Sequence, residues 1–267
     1  MESKNGFKWS DGLAYEAYVG RWSRFVAEQF LAWLDIPLNS SWLDLGCGTG
    51  VLIRSIIKLA SPAKIFGIDR STGYVMFARH EAHHQETHFL VGDVLNLPLV
   101  ENSCDVGVSG LVLNFITNPQ KAVEEMKRAV GSGGQVAVYV WDYAGGMQMI
   151  RHFWDAAVSL DPQAARYDEG LIFPICKHEA LANLFNSTGF REVEVRAFDI
   201  PTHFKDFNDY WSPFLRGQGP APGYVRMLDE KQRIALMERI RLSLPVAQDG
   251  SIHLWARAWG VRGKSEI

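Results

Sequence analysis

A chain of 267 residues with 47% apolar and 21% charged side chains can bury a sizeable core, as one large domain or two small ones, and has the composition of an ordinary globular protein. Its formal charge of −3 argues against a nucleic-acid or anionic-membrane partner, and no run approaches the roughly 18 to 20 apolar residues that span a bilayer. Cys47, Cys104 and Cys176 lie far apart with no C-x-x-C pair, which suggests neither a disulfide framework nor a zinc site; with a polar start that lacks a signal-peptide segment, a cytoplasmic protein is expected.

In chain order, apolar residues from Tyr18 through Trp22, Val26 and Phe30 to Leu34 recur at three- and four-residue intervals and predict an amphipathic helix. With no strand before it, this helix is expected across the edge or mouth of a sheet. Arg21 and Arg24 sit at its front. Ser41 to Leu45 then reads as a buried strand, running into three glycines at alternate positions, Gly46, Gly48 and Gly50, and a helix from Val51 to Leu59. Strands are expected at 65–69, 88–93, 104–109 and 135–141, with helices at 74–82 and 119–130 between them. That alternation implies a parallel sheet covered on both faces, with ligands at the carboxyl ends of its strands. Asp44, Asp69, Asp93, Ser109 and Trp141 would converge there.

Past Trp141, helices are predicted at 147–160 and 178–187 and strands at 191–198 and 252–261. Between the last two strands lies an insertion, 201–245, with an aromatic stretch from Phe204 to Phe214, a Pro/Gly-rich loop at 217–223, and a helix from Asp229 that Gln232 would help cap. It is expected to cover the substrate cavity as a lid.

The glycine turn is one residue too short for the dinucleotide fingerprint G-x-G-x-x-G, which disfavours a nicotinamide-dependent oxidoreductase, and it lacks the lysine of a phosphate loop. Instead, Leu43-Asp44-Leu45-Gly46-Cys47-Gly48-Thr49-Gly50, then Gly67-Ile68-Asp69-Arg70-Ser71 and Gly92-Asp93-Val94, resembles the class I S-adenosylmethionine-dependent methyltransferases, in particular the group related to quinone biosynthesis and other small-molecule substrates. The likeness covers about residues 40 to 142. It implies a Rossmann-like, doubly wound α/β fold with seven strands, mostly parallel with an antiparallel last strand. It also implies one domain, comprising an N-terminal helical cap at 1–40, a cofactor-binding core at 41–200, the lid at 201–245 and the last strand at 246–267.

By the same resemblance the cofactor is S-adenosyl-L-methionine. Asp69 would bind the ribose hydroxyls and Asp93 the adenine amino group, with the Val94 N–H on a ring nitrogen. Asp44, Gly46, Cys47, Gly48, Arg70 and Ser109 complete the expected site, and Arg21 would reach over the mouth to the cofactor's carboxylate, the alternative being a solvated helix arginine. The fourth strand is followed by Ser109-Gly110-Leu111-Val112-Leu113-Asn114-Phe115 rather than the [DN]-P-P-[YF] element of base- and glutamine-methylating enzymes, so a small acceptor and no nucleic acid is expected. Asp142, Tyr143, His152 and His203 are the candidate bases, each set against a structural or solvated role that the residue type favours. With no assignable catalytic base, a non-catalytic cofactor- or partner-binding module is the alternative. His80 and His84 share a helix face without an acid or cysteine at ligand spacing, so no metal is expected.

Overall fold

The computed structural model describes residues 20–82, 84–217 and 219–266. Seven strands form one sheet: β1 Ser41–Leu45, β2 Lys64–Asp69, β3 Thr87–Val91, β4 Val106–Gly110, β5 Gln135–Trp141, β6 Arg191–Phe204 and β7 Ile252–Lys264, in the order β3-β2-β1-β4-β5-β7-β6. β7 runs antiparallel to both its neighbours and every other pairing is parallel. The expected doubly wound, mostly parallel sheet with an antiparallel last strand is the observed one. Central strands carry apolar side chains on both faces, as helix-covered parallel strands must: Trp42 to Leu45 are all buried. Strand order reverses between β1 and β4, which opens a crevice at their carboxyl ends.

The helices are α1 Arg21–Leu34, α2 Val51–Ala60, α3 Thr72–Glu81, α4 Pro119–Val130, α5 Gln148–Leu160, α6 Glu169–Ile172, α7 His178–Ser187, α8 Phe207–Arg216, α9 Pro220–Met227 and α10 Glu230–Ser243. Local chemistry sets many of their starts. Ser71 Oγ accepts from the Tyr74 N–H, Asn118 Oδ1 from that of Lys121 and Asp206 Oδ1 from that of Asp209. Asp229 and Gln232 form the anticipated capping box.

Several expectations are corrected. The first helix lies on the sheet face at its β6 edge, and its Ser23 reaches the cavity lining. It packs against α2, β6 and β7, with Phe30 4.7 Å from the Tyr139 ring and Trp33 5.6 Å from Phe198, because its aromatic stripe finds an apolar sheet face there, next to Gly260, whose missing side chain leaves room for Phe198 and Trp33. Tyr18 and the rest of the expected cap up to residue 19 lie outside the described residues. Strand β6 runs six residues beyond its expected end, pairing with β7 through Phe204 and Ile252. The presumed loop at 217–223 becomes a helix from Pro220, a residue whose fixed φ suits the first helical turn.

Candidate functional site

At the end of β1, Gly46, Gly48 and Gly50 all take positive φ, 74°, 51° and 81°. The Gly46 and Cys47 N–H groups donate to the Ile68 carbonyl at 2.7 and 3.0 Å, which fastens the turn to the end of β2. A Cβ on Gly46 would lie 2.6 Å from Val112 Cγ1, whereas one on Gly48 would meet only the Gly46 oxygen at 3.9 Å. Gly46 thus serves backbone conformation and packing together, while Gly48 leaves its peptide face open to the cavity beside it.

Three acids stand around this turn. Asp44 is buried at the base of the cavity, and its Oδ2 has no hydrogen-bond partner among the described residues. Burial, reinforced by the Asp69 charge, pushes its carboxyl up to about 8. Asp69, at the tip of β2, accepts from the Ser71 N–H at 2.8 Å through Oδ1 and from the Gly48 N–H at 3.1 Å through Oδ2. Burial raises its pKa and those two N–H groups oppose the rise. Each oxygen keeps a lone pair for a ligand. Asp93 lies two residues beyond β3, its Oδ1 accepting from the Leu95 N–H at 2.9 Å.

These groups line one cavity of about 800 Å3 that crosses the strand ends from β3 to β5, a volume in the usual range of small-ligand sites. Of the expected residues, Asp44, Gly46, Cys47, Gly48, Asp69, Arg70, Asp93 and Val94 line it together. Arg21 and Ser109 do not. The Arg21 guanidinium pairs with Asp209 at 2.8 and 3.2 Å, donates to the His203 carbonyl and lies over the rings of Trp22 and Phe204, joining α1 to β6 and α8. Ser109 Oγ donates to the Leu45 carbonyl at 2.7 Å, tying β4 to β1 behind the turn. Trp141 is likewise buried off the cavity, and Tyr139, two residues earlier on β5, lines it instead.

None of Asp142, Tyr143, His152 and His203 is on the lining. Asp142 accepts from the Gly145 N–H at 3.0 Å, the Tyr143 ring lies 5.8 Å from that of Phe173, burial lowers the pKa of His152, and the His203 ring meets that of His253 at a tilt, 4.6 Å between centroids. The wall facing the glycine turn comes from two segments that sequence reasoning did not place on the site. One is Leu111 to Thr117 after β4, where Leu111 itself takes φ +61° and Leu113–Phe115 makes a single 3-10 turn. The other is the roof between α5 and α7, which contributes Arg166 and Ile172 to Ile175. Phe173 and Phe115 meet edge to face at 5.3 Å and join them. The insertion at 201–245 supplies Pro220.

Residues 43–138 match the family described as "Methyltransferase domain". The chain is 29% identical over 143 residues to the malonyl-[acyl-carrier protein] O-methyltransferase of Marinomonas sp. (strain MWYL1), covering 53% of this chain and 52% of that protein. It is 28% identical over 118 residues to the demethylmenaquinone methyltransferase of Paenarthrobacter aurescens (strain TC1), covering 44% of each. The chain thus spans about half the length of these curated relatives. Among solved structures, the phosphoethanolamine N-methyltransferase 2 of Haemonchus contortus in complex with S-adenosyl-L-methionine aligns with a TM-score of 0.59 at 17% identity, covering 96% of this chain and 57% of that one. That likeness is one of fold. The family match contains all three acids and the 111–117 segment but ends within β5, short of the roof.

Proposed function

We propose, from the match of residues 43–138 to the methyltransferase domain family, that the cavity binds S-adenosylmethionine and that the protein transfers its methyl group to a small-molecule acceptor. The observation that carries this reading is the meeting of Asp44, Asp69 and Asp93 on one cavity around an open glycine turn. Their chemistry suits the cofactor group by group. Asp69, held by two backbone N–H groups, presents two acceptor oxygens to a ribose diol; Asp93 and the Val94 N–H suit the adenine edge; the orphaned Asp44 oxygen suits an ammonium. Arg21 and Ser109 act from behind, by holding α1 and the end of β1.

Bound there, the cofactor supplies a methyl group already activated on a sulfonium. The chain aligns the acceptor with it under the roof and keeps water out. Calorimetric titration with S-adenosylhomocysteine, the demethylated product, tests the reading: one site per chain is expected, with affinity about 10- to 100-fold weaker in Asp69→Ala, the scale of lost hydrogen bonds to a charged group. Wild-type protein that takes up no ligand at millimolar concentration would remove it.

A second reading, a cofactor-binding module without catalysis, is favoured by one observation: none of the four candidate bases reaches the cavity. Turnover of any acceptor eliminates it.

A further inference from the structure

The cavity divides by charge. All three of its acids stand at the ends of β1, β2 and β3, together with Arg70. The part facing β4 and β5 is lined by Leu113, Phe115, Ile172, Phe173 and Pro220, and among the described residues it has no Asp, Glu, His or Lys. Beside the hydroxyl-bearing Thr117 and Tyr139, two nitrogen groups there can hold an anionic ligand atom. Arg166, on the roof, is exposed and has no ion pair with an acid among the described residues; its guanidinium rests 5.0 Å from the Tyr167 ring centroid. Asn114, on the opposite wall, has a buried Nδ2 with no hydrogen-bond partner among the described residues. A cation left without a counter-charge and an amide left without a partner both leave binding energy to be recovered by a ligand.

Accepting the methyltransferase reading, on which this rests, we infer that the acceptor is a small molecule with an apolar body and an oxyanion head, a carboxylate or a phosphate, and that Arg166 and Asn114 form the subsite for that head. The apolar body lies against the joined rings of Phe115 and Phe173. Such a head is ionised near pH 7 without help from the protein, which matches a half-cavity that among the described residues offers no carboxylate, histidine or lysine to remove a proton. Acids are absent where they would repel it and present where the cofactor needs acceptors.

The test uses matched probes titrated by calorimetry into the whole protein with S-adenosylhomocysteine present: 3-phenylpropionate, 2-phenylethyl phosphate and the neutral 3-phenylpropanamide. At least one anion is expected to bind tenfold or more tightly than the amide, and comparing the two anions identifies the preferred head. Arg166→Ala should abolish the preference, Arg166→Lys should retain part of it, and both should bind S-adenosylhomocysteine as the wild type does. Asn114→Leu should weaken the anion several-fold. No preference for either anion over the amide, including no binding by any of the three, overturns the inference, as does a preference that survives Arg166→Ala. Should S-adenosylhomocysteine itself fail to bind, the same probes titrated alone separate the two ideas: an Arg166-dependent preference would then stand while the cofactor reading falls.

Discussion

Asp44 shows how one position can join a strand to a ligand. It belongs to a run of buried apolar residues, so its carboxylate is held where charge is costly, and its second oxygen has no hydrogen-bond partner among the described residues. With its carboxyl pushed up to about 8, the empty site binds a proton that an incoming ammonium would displace. The affinity for S-adenosylhomocysteine should therefore rise between about pH 6 and about pH 7.5, below the range where the ligand's own amino group titrates. In Asp44→Asn that slope should flatten, as calorimetry across the pH series would read. The identities of Asp44, Asp69 and Asp93 were legible in the sequence because each follows directly from a strand end and a glycine. The placement of Arg21 off the cavity was not, since its partner Asp209 is 188 residues away in the chain.

At the scale of elements, the roof is held by a buried carboxylate. Glu169, at the start of α6, accepts from Trp154 Nε1 of α5 and, at 3.3 Å, from the Ala221 N–H of α9, next to the cavity-lining Pro220. The neighbouring Arg151 is engaged by Asp168 at 2.7 Å. Burial is the main cause that pushes the Glu169 carboxyl up to about 7, with the Asp168 charge adding to it. The folded protein thus keeps a proton that the unfolded chain has released from about pH 4.5 upward. Stability should fall as pH rises from about 4.5 to about 7, by something on the order of 3 kcal/mol from this group. Glu169→Gln should remove that part of the slope in urea unfolding series at several pH values. Asp44 slopes in the same direction and remains in the variant, which makes the difference between the two proteins the informative quantity. The roof escaped sequence reading because its helices are too short for periodicity to register and its apolar residues are paired only through contacts such as Phe173 on Phe115.

For the whole molecule, the cavity gathers residues from 23 to 220, so a ligand that fills it ties together segments distant in the chain. Because such a ligand binds only the folded state, S-adenosylhomocysteine at a hundredfold excess over its Kd should stabilise the protein by about 2.7 kcal/mol, raising the thermal midpoint by roughly 5 to 10 °C. The same total concentration should give a smaller rise with Asp69→Ala.

Sequence alone determined the alternation of strands and helices, the glycine turn and the identity of the three acids, all of which are written in short-range pattern: apolar runs, a fixed glycine spacing, an acid at each strand end. It also carried the capping box at Asp229, a contact three residues long. Tertiary structure alone decided that α1 lies on the sheet face, that the wall over the cavity comes chiefly from 111–117 and the roof, and that Arg166 faces a half-cavity empty of acids. Those outcomes depend on which side chains meet across some sixty residues or more, and such packing, unlike local propensity, leaves no periodic trace in the chain.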